Sequence, residues 1–399
     1  MPIHFSHPRT GEIVTANLQP TVTVISPRYA ESYSFDRAGR LLSLFVDGRS
    51  IQRTLDHRLL VRQKDADARR VELSPDERDA LLARVFAALH DLADSLPQAR
   101  LAPSDAAALA AELNTILAMG PQALAADGEA YRRLYLPVSI LPPDQYMALV
   151  VQATEGCSWN RCTFCGLYRD RQFRIRSVEE FRAHCQAVRD FFGAGIGLRR
   201  GIFLADANAL ITPQERLLAL VRTAQEVFGE PGRPRPLYSF VTAFDVERKS
   251  QDDWSALRAL GLRRVYVGLE SGDDELLRFV NKPGTAADAV QAVRDLKLAG
   301  VSVGVIAMIG LGGDRFAAQH TANTVAAIRA MPLDRTDVIY LSPYTPAPLT
   351  PYPAQAETAG IRSLTAQQIR AQTQAVRDAL RAHFPQTRIA PYHVEGFAL

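Results

Sequence analysis

Lysine is almost missing from this 399-residue chain: only four of its 46 basic residues are lysine, at 64, 249, 282 and 297. The rest are arginine, a bias that reads as genome composition. Cysteine is as scarce, with four residues, which excludes a disulfide-stapled scaffold. No apolar run approaches the ~20 residues that span a bilayer; the most apolar stretch, 301–311, is too short. Neither sign of charge dominates. The 46 basic and 43 acidic residues leave +3, so bulk charge marks neither a nucleic-acid binder nor a membrane-surface binder. The first thirteen residues lack the basic-then-apolar order of a secretory leader, and a cytoplasmic protein with no membrane partner is expected. At 47% hydrophobic and 22% charged, the chain is neither disordered, collagenous nor coiled-coil.

What the chain does have is order. Residues 1–145 read as an N-terminal α+β region. Short strands come first, including a hairpin over 41–55 with its turn at Asp47-Gly48. Two helices follow, one opened by the capping box Ser74-Pro75-Asp76-Glu77, the other over 104–119 and stopped at Gly120-Pro121. Residues 146–345 alternate strand and helix through six β units, the last strand at 337–341. This pattern gives a parallel sheet with helices outside it. On the strand 264–270, Val265, Val267 and Leu269 suit packing under helices, while Tyr266, Gly268 and Glu270 face the other way. On 301–310 the second face carries Ser302, Gly304, Ile306, Met308 and Gly310. A mixed small and polar face suits a hollow interior better than a sheet covered on both sides. The expectation is a partial (β/α)6 TIM-like barrel. Residues 346–399 form a C-terminal helical extension: a proline-studded irregular segment, a helix opened at Thr365, and a tail whose Tyr392 and His393 either fold over the mouth or fray.

Three of the four cysteines fall in Cys157-Ser-Trp-Asn-Arg-Cys162-Thr-Phe-Cys165, a CxxxxCxxC just after the first barrel strand. Loops at that end of a parallel barrel build its active site. Thiolates so spaced select zinc or an iron–sulfur cluster. Three thiolates on a four-iron cluster leave one iron without a protein ligand. A zinc site needs a fourth ligand, for which His184 or Cys185 is available.

Taken with Phe164 and the later landmarks Tyr266-Val-Gly-Leu-Glu-Ser-Gly272, Asn281-Lys-Pro283, Met308-Ile-Gly-Leu-Gly-Gly313 and Leu341-Ser-Pro-Tyr344, the cysteine motif resembles the radical SAM superfamily, in its elongator-type-like branch. The resemblance covers about 146–350. It implies that Cys157, Cys162 and Cys165 hold a [4Fe–4S] cluster, as metal ligands, and that S-adenosylmethionine (SAM) binds there. One electron then cleaves SAM to a 5′-deoxyadenosyl radical that abstracts hydrogen from a substrate. Phe164 resembles the aromatic residue beside the adenine, and Glu270 the strand-four residue that reaches SAM. The Gly-Gly-Glu that holds the methionine amino group in many members is replaced by Leu204-Ala-Asp-Ala-Asn208, with Asp206 or Asn208 as substitutes. Thr242 and Arg278 are candidates for ribose and carboxylate contacts, Ile306 and Leu341 for the adenine. Alternative roles stay open: an interior ion pair for Glu270, a turn or cap for Asp206 and Asn208, a solvated helix position for Arg278. The basic run Arg169 to Arg176 is either a solvated loop or a contact for a phosphate or carboxylate of the substrate.

The resemblance also implies an electron donor such as flavodoxin or ferredoxin. No cysteine precedes Cys157, which excludes a second N-terminal cluster over residues 1–156, and those residues show no DxHxxG cobalamin signature. The modest charge favours a small-molecule substrate over RNA or a peptide. The competing functions are a non-catalytic cluster- and SAM-binding protein and a zinc-stabilised barrel hydrolase.

Overall fold

The computed structural model describes residues 2–63, 70–230, 232–347 and 350–393; Lys64 and the last six residues of the tail lie outside them. The chain divides into two compact units, residues 2–137 with 187–200 and residues 138–186 with 201–393.

The first unit is an eight-stranded antiparallel meander carrying three helices. Its strands β1 (Pro2–Ser6), β2 (Ile13–Leu18), β3 (Val22–Ser26), β4 (Ser32–Asp36), β5 (Leu41–Val46), β6 (Arg49–Arg53), β7 (Leu59–Arg62) and β8 (Arg70–Glu72) each pair with the next. Period-two burial drives it: Val14 and Ala16 on β2, Tyr33 and Phe35 on β4, and Leu44 and Val46 on β5 all face one core. Helices α1 (Pro75–Ser95), α2 (Pro103–Ala118) and α3 (Pro121–Leu134) cover that face with Leu82, Val85, Leu89, Leu109, Leu113 and Leu124. The Ser74–Glu77 capping box opens α1 as expected. Helix α3 was not expected. Gly120-Pro121 does end α2, but Pro121 is also the first residue of α3, where its missing N–H costs nothing.

The second unit is the parallel sheet. In chain order it contains β9 (Leu149–Gln152), a two-stranded ribbon of β10 (Thr154–Glu155) and β11 (Arg174–Ile175), α4 (Val178–Phe192), β12 (Ile202–Ala205), α5 (Gln214–Phe228), β13 (Leu237–Val241), α6 (Ala243–Val246) and α7 (Gln251–Ala259). There follow β14 (Leu262–Glu270), α8 (Asp274–Phe279), α9 (Ala286–Leu298), β15 (Ser302–Ile309), α10 (Gly313–Arg329), β16 (Val338–Pro343), α11 (Tyr352–Thr358), α12 (Ala366–His383) and β17 (Arg388–Pro391). The end of α4, from residue 187, belongs to the first unit. The sheet order is β9-β12-β13-β14-β15-β16-β17, all parallel. Spatial order equals chain order, as in a sheet wound one way into a barrel, but β9 and β17 do not pair, so the barrel is partial and open.

Two expectations need correction here. The barrel has a seventh parallel strand, β17, drawn from the tail. Arg388-Ile-Ala-Pro391 carries no periodic signal, and its pairing with β16 is what makes it a strand. Tyr392 beyond it is 1% exposed and donates its hydroxyl to Leu141 O at 2.8 Å, so it neither frays nor caps the mouth. The proline-studded segment after β16 is also not wholly irregular, since Pro351-Tyr352-Pro353 opens α11.

One end of the interior is filled by aromatic rings. Phe203, Phe240, Tyr266, Tyr340 and Tyr392 form an aromatic layer with ring centroids 5.1–6.5 Å apart. Tyr266 and Tyr340 each donate to Asp144 at 2.8 Å. Gly304 leaves the space that the Tyr266 ring fills; a Cβ there would lie 2.4 Å from Tyr266 Cδ1. This floor closes the interior beneath the partly exposed side chains of Ile306 and Met308.

Candidate active site

The cysteine loop follows β10 at the C-terminal end of the sheet, where the first unpaired carbonyls and loop termini of a parallel barrel gather. Cys157, Cys162 and Cys165 are each half-buried. The loop is pinned throughout. Arg169 donates to Cys162 O at 2.7 Å and to Cys165 O at 3.2 Å. Asn160 donates its side-chain amide to Tyr168 O at 2.8 Å and its backbone N–H to Cys157 Sγ at 3.4 Å. The segment after β14 grips it from the far side: Thr163 N–H donates to Val280 O, Trp159 Nε1 to Asn281 O, and Asn281 Nδ2 to Arg161 O, at 2.8–3.0 Å.

Burial pushes the Cys162 thiol up to about 12, opposed by the positive charge of Lys282, and raises Cys165 against a hydrogen bond from Leu167 N–H. A bare thiolate is therefore costly here, and a bound cation is what would stabilise three of them. Among the described residues no three His, Cys, Asp or Glu side chains close on one point as ligands of a single ion would. Three soft donors in one short loop are the donor chemistry of an iron–sulfur cluster. The two residues considered as a fourth ligand for zinc are otherwise placed. His184 lies under the sheet on α4 and accepts Gln152 N–H at 3.1 Å, and Cys185 is fully buried on the same helix. Burial holds His184 down to about 3, so it is neutral and committed.

Two polar residues at the end of β12 face this loop. Asp206 is 2% exposed and accepts from Gln152 Nε2 and Gly156 N–H at 3.0 Å, with Arg171 at 3.4 Å. Burial raises its pKa against those three. Asn208 donates to Ser158 Oγ at 3.0 Å and Asp245 Oδ2 at 2.7 Å, and accepts Thr242 N–H at 3.3 Å. Asn208 heads a 3-10 turn without capping it; its side chain is spent joining the cysteine loop to the end of β13. Thr242 itself is half-buried at that strand end.

Glu270 closes β14. The β14–β15 register slips between Gly268 and Glu270, and Glu270 has φ +58°, a left-handed conformation unusual for a carboxylate residue. The slip turns its carboxylate onto Lys282 Nζ at 3.2 Å, the side chains being 14% and 12% exposed. The interior ion pair is thus present. Next along, Ser271 donates to His320 Nδ1 at 2.7 Å and His320 Nε2 donates to Met308 O at 2.8 Å, a buried relay that holds the ends of β14 and β15 together.

The other candidates are placed as follows. Phe164 is partly buried and packs against the apolar cluster that includes Leu276, Phe316 and Tyr352. Ile306 is half-exposed on the inner face. Leu341 pairs in register with Ala307 on the outer face, so strand alternation turns it from the interior and gives the inner position to Ser342. Arg278 is exposed on α8, its guanidinium on Asp274 O one turn back. The structure does not bring Leu341 or Arg278 to the mouth. Lys282 was missed as a site residue, though it stood in the Asn281-Lys282-Pro283 landmark; the signal was a lysine in a chain that otherwise uses arginine. A cavity of about 480 Å³ opens beside the cysteine loop, lined by Cys157, Trp159, Arg169, Arg171, Gln172 and Phe173 among others.

Residues 151–325 match the family model of the Radical SAM superfamily. Over 171 residues the chain is 25% identical to the 4'-phospho-dehydrooxetanocin synthase of Priestia megaterium, covering 39% of this chain and 22% of that one. Over 222 residues it is 22% identical to the hopanoid C-3 methylase of Methylococcus capsulatus, covering 55% of this chain and 38% of the methylase. The chain thus spans well under half the length of either curated relative. Among solved structures, a radical SAM methyltransferase from Sphaerobacter thermophilus superposes with TM-score 0.45 at 15% identity, over 64% of this chain and 68% of that one. No helix among the described residues is long and apolar enough to cross a membrane.

Proposed function

We propose that this chain, whose residues 151–325 are a Radical SAM domain, is an enzyme that uses SAM and one [4Fe–4S] cluster to abstract hydrogen from a small-molecule substrate. The observation that carries the reading is the pinned CxxxxCxxC loop at the mouth of the partial barrel. Cys157, Cys162 and Cys165 would hold the cluster. When bound, the cluster and SAM supply one-electron cleavage of the sulfonium and the radical chemistry that follows.

The chain's own residues do the rest. Arg169 and Asn160 fix the loop's carbonyls and amides around the cysteines. Asp206, Thr242 and Glu270 present carboxylate, hydroxyl and carboxylate groups around the mouth, a set suited to the amino and ribose groups of SAM, and Asn208 positions the cysteine loop beside them. Ile306 and Phe164 offer apolar surface for its adenine. The aromatic floor excludes water from below, which protects a radical from quenching. The cavity beside Cys157 is of the size that takes a small organic ligand. Both curated relatives are named for small molecules, an oxetanocin phosphate and a hopanoid. An external one-electron donor such as flavodoxin or ferredoxin completes the system.

The test is anaerobic reconstitution followed by iron and sulfide analysis and EPR of the reduced protein with and without SAM. About four irons per chain and a spectrum altered by SAM are expected; zinc in their place, or a spectrum indifferent to SAM, overturns the reading. Release of 5′-deoxyadenosine is then assayed with metabolite, RNA and peptide fractions. Stimulation by the RNA or peptide fraction alone would overturn the small-molecule assignment.

A further inference from the structure

Lys282 is in an unusual position for a lysine. Its ammonium is nearly buried, yet among the described residues it makes one hydrogen bond, to Glu270 Oε1, although it has three protons to donate. The other described lysines are better supplied. Lys249 Nζ donates to Thr212 O and Gln214 Oε1, and Lys297 Nζ to Asp334 and Asp337. Its segment is instead bonded to the cysteine loop, and after Glu270 the groups that act on its charge are Cys162 and Cys157.

Several features of the chain converge to hold it there. The residues before Lys282 are stitched to both sides of Cys162, through Val280 O to Thr163 N–H and through Asn281 Nδ2 to Arg161 O. The slip in β14 and the left-handed Glu270 aim the carboxylate at it. Gly268 clears the space: a Cβ there would stand 2.5 Å from Glu270 Oε1 and 3.2 Å from Lys282 Nζ. An ammonium is also a compact point charge where a guanidinium is a planar fork, and here the chain departs from its habit of using arginine.

Resting on the cluster reading above, we propose that Lys282 is a charge-compensating residue for the iron–sulfur cluster, held beside the cysteine loop by Glu270 so that its fixed positive charge favours the reduced state. The external donor passes one electron to the cluster, which becomes more negative by one unit. Lys282 keeps its protons throughout, and the attraction between the two strengthens in a poorly screened site.

The test is the cluster's midpoint potential, read by EPR during a dithionite titration of reconstituted protein without SAM. In Lys282→Gln the potential falls: at the wild-type midpoint the reduced-to-oxidised ratio drops about tenfold, or about 59 mV for one electron. Glu270→Gln removes the opposing charge and moves the potential the other way. Lys282→Arg keeps the charge and lies nearer wild type than Lys282→Gln. Simple loosening of the loop would move Lys282→Gln and Glu270→Gln in the same direction, and that result overturns the assignment. So does an unchanged potential in Lys282→Gln at full iron content. If Lys282→Gln loses its iron, Glu270→Gln decides alone, and a potential unchanged or lowered there overturns it. A wild-type chain that takes up no iron fails the cluster reading itself, which the iron analysis shows separately.

Discussion

Each unit holds a group of two cations and two carboxylates that are buried or half-buried, and the two groups differ in their surroundings. In the first unit Asp127 bridges Arg40 at 2.7 Å and Arg53 at 3.1 Å, and Asp36 accepts Arg40 N–H and Ala38 N–H. Leftover guanidinium protons go to main-chain carbonyls: Arg53 to Leu124 O, Arg40 to Phe191 O and Phe192 O. Every one of these partners comes from within the unit. In the barrel, Lys282 with Glu270 and Arg171 with Asp206 are set around the cysteine loop, and a 480 Å³ cavity opens beside it. The first group is finished by the fold. The second stands where the cysteine loop leaves the sheet. A closed buried ion network is a structural feature whose loss costs stability, whereas an open one points to function.

The comparison breaks most decisively at the cysteines. Cys157→Ser, Cys162→Ser and Cys165→Ser each abolish stable uptake of the about four irons expected of the cluster, while far-UV circular dichroism stays that of the parent. Cys185→Ser, changed within the core of the same unit, leaves iron content unchanged. Iron analysis after reconstitution checks all four.

In the first unit the expected loss is of stability instead. Asp127→Ala strands Arg40 and Arg53, whose side chains are 7% and 2% exposed. Removing one partner of a buried charge set costs about 3–5 kcal/mol, read from urea unfolding. A change below 1 kcal/mol would mean that the network is not closed as described.

A smaller effect sharpens the second unit. His184 is held neutral by burial, down to about 3, against an ordinary 6.5. The unfolded chain therefore binds a proton that the folded chain refuses. Stability contributed by the neutral ring is full above the unfolded value and is lost as pH falls below it, through the window down to the folded value. Between pH 7 and pH 5 the loss is about 2 kcal/mol. His184→Gln, which keeps an acceptor for Gln152 N–H, removes that share of the pH dependence, and comparing urea midpoints at the two pH values measures it.

Much of this was legible in the residues. The CxxxxCxxC spacing is local, and so are the β/α periodicity and the helix starts at Ser74 and Thr365, both of which are capped as capping boxes. What was not legible depends on long-range pairing. Asn208 joins Ser158 to Asp245, residues 50 and 37 positions away. Lys282 meets Glu270 only because β14 slips by one residue at Gly268. The strand β17 exists because β16 has a free edge to offer. Alternation along β16 did carry the orientation of Leu341, but only once Tyr340 was known to face inward.

Arg278 tests the same distinction at its weakest. As a charged residue one helix away from Glu270 it was a fair candidate for the carboxylate of SAM. The structure gives it a different setting: it is exposed on the six-residue helix α8, and its Nε donates to Asp274 O within its own turn at 3.1 Å. A guanidinium so placed is hydrated on most sides, and its charge is screened by solvent from groups inside the mouth. Arg278→Ala is therefore expected to change stability by less than about 0.5 kcal/mol and to leave SAM affinity, read by equilibrium dialysis against the reconstituted protein, within about twofold, a shift under 0.5 kcal/mol. A tenfold loss of affinity would show that α8 turns toward the mouth when SAM binds. The group of charges around the cysteine loop would then gain a fifth member.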